Sequence, residues 1–412
     1  MENIQDNLIN WKRKIITFIT GQTISLFGSF LVQYAIVWYI TLETKSGVYA
    51  TISIIVSFLP QVLVSLFAGV WADKYNKKKL IMYSDAMIAI STLILAIFFF
   101  CGIRYLWLIF VISAIRSFGS GIQMPAVNSF IPELIPEDKL MRVNGINTTI
   151  QSLMMVVCPV ISGALLVAFN SMLEYIFFID VFTAIIGIGL TYIIKYIHKK
   201  HDDIEIVSHM NEMKDGIRYI KNHKTIKKLL YYYAILSFLF APVAFLTTLM
   251  VTRTFGPEVW RLTVHETAFG IGAVLGGIAI SIWGGFKNRI ITIIFACFGF
   301  GMLSVAMGLS TVFWLYVSFM FLSGILMAFF STPWTVYLQE TVEPEMLGRV
   351  FSFAQIVTTI AMPLGMLVFG PIADITKIEY ILIITGILTM IETIIVYFDK
   401  TIKGDKENLA KT

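Results

Sequence analysis

The sequence is poor in charged residues. Asp, Glu, Lys and Arg make up 14% of its 412 residues, whereas 57% are hydrophobic. Because soluble globular domains carry about 25% charged residues, this composition excludes an ordinary soluble protein. The mean hydropathy of +0.81 instead indicates a polytopic membrane protein. The net charge of +5 then reflects membrane topology and predicts no nucleic-acid partner.

Residues that bind metals or form disulfides are also scarce. The three cysteines, Cys101, Cys158 and Cys297, lie in separate apolar segments without Cys-x-x-Cys spacing, and we expect them to pack inside helices. The five histidines, including His265, are assigned to polar connections, which argues against a membrane enzyme with metal or haem ligands. The sequence has no Gly-x-x-x-x-Gly-Lys-Ser/Thr phosphate loop. We expect no cofactor, no metal and no enzymatic activity.

A short polar stretch, residues 69–80, separates two long apolar runs. It contains four lysines and one aspartate, while each flanking run is long enough to span about 30 Å of hydrocarbon as a helix. The stretch is therefore predicted to be a tight hairpin at the membrane surface. The positive-inside rule places its lysines in the cytoplasm. Topology alone explains the lysines, but it does not explain Asp73.

Apolar runs bounded by charged or turn residues predict twelve transmembrane helices. The first run is too long for a cleaved signal peptide, so we expect the N-terminus, and with an even number of spans also the C-terminus, in the cytoplasm. Most of the 31 Lys and Arg residues then lie on the cytoplasmic side, as the positive-inside rule requires. The predicted ranges are 15–41, 47–72, 80–101, 105–131, 140–169, 173–197, 227–252, 264–283, 289–309, 313–338, 346–373 and 377–399.

One sizeable polar stretch lies at the middle of the chain. We predict residues 198–228 to be a cytoplasmic linker between an N-terminal bundle, 1–197, and a C-terminal bundle, 229–412. Met213, Ile217 and Ile220 recur in this linker at helical spacing, which fits either an amphipathic helix on the membrane surface or a solvated linker helix.

The two halves of the sequence also share an ordered set of residues. Pro125, Pro136 and Arg142 recur as Pro333, Pro344 and Arg349 at an offset of about half the chain length. Such a repeat is typical of secondary transporters.

Charged residues within the spans are candidates for function, because burying a charge in lipid is costly. They are Asp85, Arg116, Asp180 and Glu392. The predicted depths of Asp85, Arg116 and Asp180 differ, so we expect no single cluster of the three. Arginine stays protonated, so Arg116 either tunes a proton-binding carboxylate or forms a fixed staple between helices.

The polar stretch at 69–80 resembles the signature loop of the major facilitator superfamily. It has a glycine (Gly69), a small residue, Asp73 and a basic run that includes Lys77 and Lys78. It departs from the family pattern at two positions, because Lys74 and Asn76 replace an arginine and a glycine. Our hypothesis is that Gly69, Asp73 and these lysines form a latch that closes the cytoplasmic gate.

Two further segments are similar to motifs of the same family. Arg116 with nearby glycines resembles a fourth-span motif associated with proton coupling, which makes Asp85, Arg116 and Asp180 the candidates for that role. In the fifth span, Pro159 and Gly163 resemble a glycine-proline motif of exporters, with Cys158 at a position where the family prefers glycine.

The strongest resemblance is to the macrolide-efflux branch of this superfamily, and it runs over essentially the whole chain. It implies proton-driven export of macrolide antibiotics across a bacterial plasma membrane, and it leaves room for a partner ATP-binding protein. The segments that carry it include 116–119, 124–126, 135–140, 347–352 and 361–363.

We therefore expect an all-α membrane protein with the major facilitator fold, two six-helix bundles that alternate access by rocking. The abundant aromatic and Met residues suit a bulky lipophilic substrate. Gln22 and Gln33 are our candidates for binding its polar groups. Three alternatives stay open: export of another lipophilic compound, import of a nutrient, and a membrane-embedded sensor or accessory subunit without flux.

Overall fold

The computed structural model describes residues 10–170, 172–196, 218–399 and 401–402, which are almost entirely helical and contain no strand. Twelve of the described helices are long and apolar enough to cross a membrane, which confirms the predicted fold class. They are α1 (Trp11–Thr44), α2 (Gly47–Lys74), α3 (Lys77–Phe100), α4 (Leu106–Leu134), α5 (Leu140–Ala168), α6 (Leu173–Ile193), α7 (Lys224–Met250, continued by a π-helical turn, Val251–Phe255), α8 (Val259–Trp283), α9 (Arg289–Leu309), α10 (Phe313–Thr341), α11 (Pro344–Ile375) and α12 (Ile378–Phe398).

The chain divides into two compact units. The first comprises residues 1–43 and 52–205, and the second comprises residues 44–51 and 206–412. The start of α2 is thus counted with the second unit. The domain boundaries predicted from the linker composition remain a prediction.

In the first unit, α3 packs against both α4 and α6. The ring of Phe130 on α4 contacts Phe18 on α1 and Tyr196 beyond α6, edge to face, at centroid distances of 5.0 and 4.9 Å. Edge-to-face aromatic pairs stabilise a fold beyond the burial of their surface. These two contacts therefore join α1, α4 and the end of α6 at one end of the unit.

In the second unit, α10 packs against α8 and α9, while α7 packs against α11 and α12. Its core is rich in aromatic residues, including Tyr337, Phe300 and Trp334. Ile220, in a short helical segment at 218–222, is buried in this core. The end of the linker therefore packs against the core of the second unit. Met213 and Ile217 of the predicted amphipathic helix lie outside the described residues.

The connection between α2 and α3 is shorter than the sequence predicts. Lys74 still belongs to α2, and the next three lysines form the first turn of α3, so that Tyr75 and Asn76 alone separate the helices. Asn76 has φ −63° and ψ 107°, and its side chain accepts a hydrogen bond from the Lys79 amide at 3.2 Å. Asn76 therefore caps α3 and does not adopt the left-handed turn of a glycine.

Candidate functional site

The first unit contains a cavity of about 250 Å³. Helices α1, α2, α4 and α5 contribute its walls, and both predicted substrate residues, Gln22 and Gln33, line it. Carboxamide side chains dominate the polar part of the wall, and apolar side chains complete it. The carboxamides are Gln22, Gln33, Gln61, Gln123, Asn128, Asn147 and Gln151, and the apolar residues are Leu26, Phe30, Ile36, Met124 and Val127.

Arg116 lines this cavity and forms a buried ion pair behind its wall. Its guanidinium lies 2.5 Å from the Asp180 carboxylate on α6 and also donates to Thr92 on α3. Asp180 is fully buried and additionally accepts from Thr92 at 2.9 Å and Ser29 at 3.2 Å. Four helices thus converge on one carboxylate, and each of its oxygens has a donor, as a buried charge requires.

A glycine on α1 makes room for this ion pair. A Cβ added to Gly28 would lie 2.1 Å from Thr183 Oγ1 and 2.9 Å from the Asp180 Cα. Since any side chain would overlap the α6 backbone, the absence of one allows α1 and α6 to approach closely enough for Ser29 to reach Asp180.

Asp85 on α3 has a different set of partners. Its carboxylate accepts from the side-chain amide of Gln123 at 2.5 Å and from that of Gln22 at 3.2 Å, and Gln123 also donates to Gln22 at 3.2 Å. Only 1% of the Asp85 surface is exposed. The structure therefore pairs Arg116 with Asp180, and the described residues give Asp85 no cationic partner.

Gln123 and Thr92 are site residues that the sequence reasoning missed. Gln123 follows Arg116 by two helical turns on α4 and so lies on the same face. That spacing is a signal that the sequence did contain. Thr92 offers no such signal, because an isolated threonine in an apolar helix usually bonds its own backbone.

The predicted gating residues have partners within the first unit. Lys77 Nζ lies 2.5 Å from the Glu133 carboxylate on α4, and Lys78 Nζ donates at 2.8 Å to the carbonyls of Tyr192 and Ile194 at the end of α6. Lys74 is exposed, and a Cβ at Gly69 would meet no atom within 4 Å. The Asp73 side chain lies outside the described part of the structure.

A tyrosine also contacts Glu133 at this end of the unit. Burial and the hydrogen bond that its hydroxyl donates to Glu133 both raise the pKa of Tyr196 above its usual range. Tyr196 therefore stays a hydrogen-bond donor, and Glu133 holds Lys77 and Tyr196 together.

The fifth-span motif lies away from the cavity. Pro159 and Gly163 are buried in α5, and neither lines the cavity wall. Between them, Ser162 donates to the carbonyl of Leu31 on α1 at 3.1 Å. The motif thus joins α5 to α1.

The expectation that every histidine lies in a polar connection is wrong for His265. This residue is buried inside α8, its ring stacks on Tyr316 at 5.6 Å, and its Nδ1 has no hydrogen-bond partner among the described residues. Its neighbour Glu266 accepts from Thr248 at 3.3 Å. Both lie at the very start of the predicted span, 264–283, and were missed because they were counted with the adjoining loop.

The cysteines divide between core and surface. Cys158 and Cys297 are buried in helices as expected, whereas Cys101 is exposed just beyond α3, contrary to expectation. Among the described residues, no group of three or more His, Cys, Asp or Glu side chains could hold a metal ion.

Comparisons with known proteins agree on one family. A family model described as Major Facilitator Superfamily matches residues 18–365 and 260–412. The chain is 29% identical to macrolide efflux protein A of Streptococcus pyogenes, over 92% of this chain and 94% of that protein. It is 28% identical to macrolide efflux protein A of Enterococcus faecalis, over 76% of this chain and 97% of that one.

The same fold occurs in solved transporter structures. A bacterial homologue of the iron transporter ferroportin, in an inward-facing state, superimposes with a TM-score of 0.72 over 93% of this chain and 98% of that chain. The sequence identity is 15%, so the similarity concerns the fold.

Proposed function

Because the chain belongs to the major facilitator superfamily and is a multi-pass bacterial membrane transporter, we propose that it exports a bulky lipophilic drug, most importantly macrolide antibiotics, in exchange for protons. One observation supports this proposal most directly. Two side chains of the cavity wall, Arg116 and Gln22, are each bonded to a buried carboxylate behind that wall. Relatives named macrolide efflux protein A support the choice of substrate.

Asp85 is the better candidate for the coupling proton. Its partners among the described residues are neutral amides and include no cation, and an ionised carboxylate in this apolar setting is poorly solvated. Asp180, in contrast, forms an ion pair with the permanent charge of Arg116. We assign proton uptake to Asp85 and a positioning role to the pair of Arg116 and Asp180.

The test is accumulation of labelled erythromycin in cells that express the chain, with and without a protonophore. Wild-type cells should hold little label, and the protonophore should raise the label to the level of empty-vector cells. The Asp85→Asn variant keeps the shape and removes the ionisable group, so it should accumulate as much label as the empty vector. A matched control is Asp138→Asn, since Asp138 is an exposed acid that pairs with the adjacent Lys139 at 2.6 Å; this variant should export normally.

Three outcomes would contradict parts of the proposal. Wild-type accumulation equal to empty vector, with expression confirmed, would remove macrolides as substrates. Export that continues in the presence of the protonophore and stops on ATP depletion would show that a partner ATP-binding protein supplies the energy. Undiminished uphill export by Asp85→Asn would exclude Asp85 as the proton site.

We also propose that the α2–α3 turn acts as a cytoplasmic latch, with Asp73 as its acidic element. Asp73 lies in the last turn of α2, beside the capped start of α3. The latch hypothesis is that this acid contacts polar groups or helix ends when the gate closes, and an exposed contact between a carboxylate and a helix N-terminus contributes about 0.3–1 kcal/mol. Asp73→Asn should lower the export rate without lowering expression, and unchanged transport by a well-expressed variant would exclude the latch.

A further inference from the structure

A second cavity lies within the second unit, and its wall contains one carboxylate. The cavity has a volume of about 40 Å³ and is formed by α7, α9, α10 and α12. Its wall is aromatic and aliphatic, with Tyr233, Phe330 and Trp334 among its residues, and the acidic group is Glu392 on α12.

The three aromatic rings form a continuous face. Tyr233 lies 4.5 Å from Trp334 and 5.6 Å from Phe330, measured between ring centroids. The rings of Phe330 and Trp334 are 6.2 Å apart with planes inclined by 11°. These residues come from only two helices, α7 and α10, so packing of two rigid elements fixes the face.

Glu392 is buried without a partner. Only 9% of its surface is exposed, and the described residues offer its carboxylate neither a hydrogen bond nor an ion pair. Lys228, on the neighbouring α7, is already held by both oxygens of Asp399 at 2.8 Å. A buried carboxylate without a counterion is costly, so an unmatched acid in a membrane helix indicates a ligand.

The chemistry of the wall restricts what that ligand can be. A metal ion needs several oxygen or nitrogen ligands, and this wall offers the carboxylate with few other polar atoms. A proton would satisfy Glu392 but would make no use of the aromatic face. An alkylated ammonium group satisfies both, since its charge pairs with the carboxylate while its methyl groups lie against the rings.

We propose that this cavity binds the head of a lipophilic organic cation, such as a tertiary or quaternary ammonium group, between Glu392 and the rings of Tyr233, Phe330 and Trp334. The volume has room for roughly three water molecules, which suits one ammonium head while the rest of the molecule extends beyond. This site depends only on residues of the second unit, so it stands whether or not export is driven by protons.

The test measures binding to the purified chain in lipid nanodiscs. The probes are benzyltrimethylammonium and neopentylbenzene, its neutral isostere with carbon in place of nitrogen, and the signal is tryptophan fluorescence. Wild-type protein should bind the cation about tenfold more tightly than the isostere. Glu392→Gln should abolish that preference and keep the weak binding of the isostere, whereas Phe330→Leu should weaken cation binding by a few fold.

A matched control separates the site from net charge. Glu340 lies on the same helix as Trp334, is exposed and pairs with Arg289 at 3.3 Å. Glu340→Gln removes the same charge and should leave both affinities unchanged. Equal affinity of wild-type protein for the two probes, or equal cation binding by wild type and by a Glu392→Gln variant with unaltered thermal unfolding, would overturn the proposal. Because no transport is measured, this result is independent of the erythromycin experiment.

Discussion

The two units bury charged groups in opposite ways. In the first, Asp180 faces Arg116, and Asp85 is surrounded by carboxamides, beside a cavity with a polar wall. In the second, Glu392 has no partner among the residues that the structure describes, and its cavity is lined by aromatic rings. The polar chemistry of the two units therefore differs. Our two proposals follow this difference, with a proton at Asp85 of the first unit and an organic cation at Glu392 of the second.

The largest effect should come from breaking the ion pair of the first unit. Arg116→Gln leaves Asp180 buried without a counterion and should lower the free energy of unfolding by about 3–5 kcal/mol. The double variant Arg116→Met with Asp180→Leu removes both charges and should recover most of that loss while export stays absent. Unfolding in mixed micelles and erythromycin accumulation measure the two effects. A double variant as unstable as Arg116→Gln would show that the pair is not the cause.

A smaller effect is expected at the contact between α1 and α6. Gly28→Ala inserts a methyl group 2.1 Å from Thr183 Oγ1 and should lower the free energy of unfolding by about 1–3 kcal/mol. The control is Gly189→Ala on α6, where a Cβ meets no atom within 4 Å. That variant should be neutral or stabilising by about 0.5–1 kcal/mol, because alanine favours a helix. Equal effects of the two substitutions would mean that this contact is not close-packed.

In the second unit, removing a buried charge should increase the free energy of unfolding, which is the opposite of the effect in the first unit. Glu392→Gln removes an unpartnered buried charge, so it should raise the free energy of unfolding by about 1 kcal/mol. The same micelle titration measures it, at a pH well above the usual range of glutamate. Destabilisation by this substitution would indicate that Glu392 has a bonding partner. The two units would then not differ in how they bury charged groups.

The smallest effect concerns the end of α12 and depends on pH. Burial raises the pKa of Asp399, but hydrogen bonds from Lys228, the Thr401 amide and Tyr232 outweigh burial and lower this pKa from 3.8 to about 2. The stabilisation by Asp399 is therefore fully present above pH 3.8 and is lost as the pH falls through about 2. For this surface pair it should not exceed about 1 kcal/mol. Melting curves of wild type and Asp399→Asn should differ at neutral pH and converge in acid; a constant difference would contradict the assignment.

The positions of the helices could be predicted from the sequence because each span is a long apolar run with polar ends. For the same reason Asp85, Arg116 and Asp180 were recognisable, since a charge in such a run is conspicuous. Their pairing was not predictable. It depends on the rotation of each helix about its axis, and α1, α3, α4 and α6 lack a strongly one-sided apolar face because the side exposed to lipid is as apolar as the side packed inside the unit.

Uncharged and boundary residues were the hardest to predict. Gln123 and Thr92 carry no charge, so hydropathy alone gives no sign that they bind carboxylates. His265 and Glu266 lie in the first turns of α8, where polar residues are ordinary, and only the packing of Tyr316 and Thr248 against them shows that they are interior.

The two amides around Asp85 carry a consequence for how the cavity senses protonation. A carboxamide has an NH₂ edge and an oxygen edge, and half a turn about its last bond exchanges them. An ionised Asp85 accepts from both NH₂ edges, but a protonated Asp85 must donate, so one amide has to present its oxygen. If Gln22 turns, its oxygen leaves the amide of Gln123, from which it accepts a hydrogen bond at 3.2 Å. A single proton would then rearrange the hydrogen bonds among these cavity-lining side chains without displacing any helix.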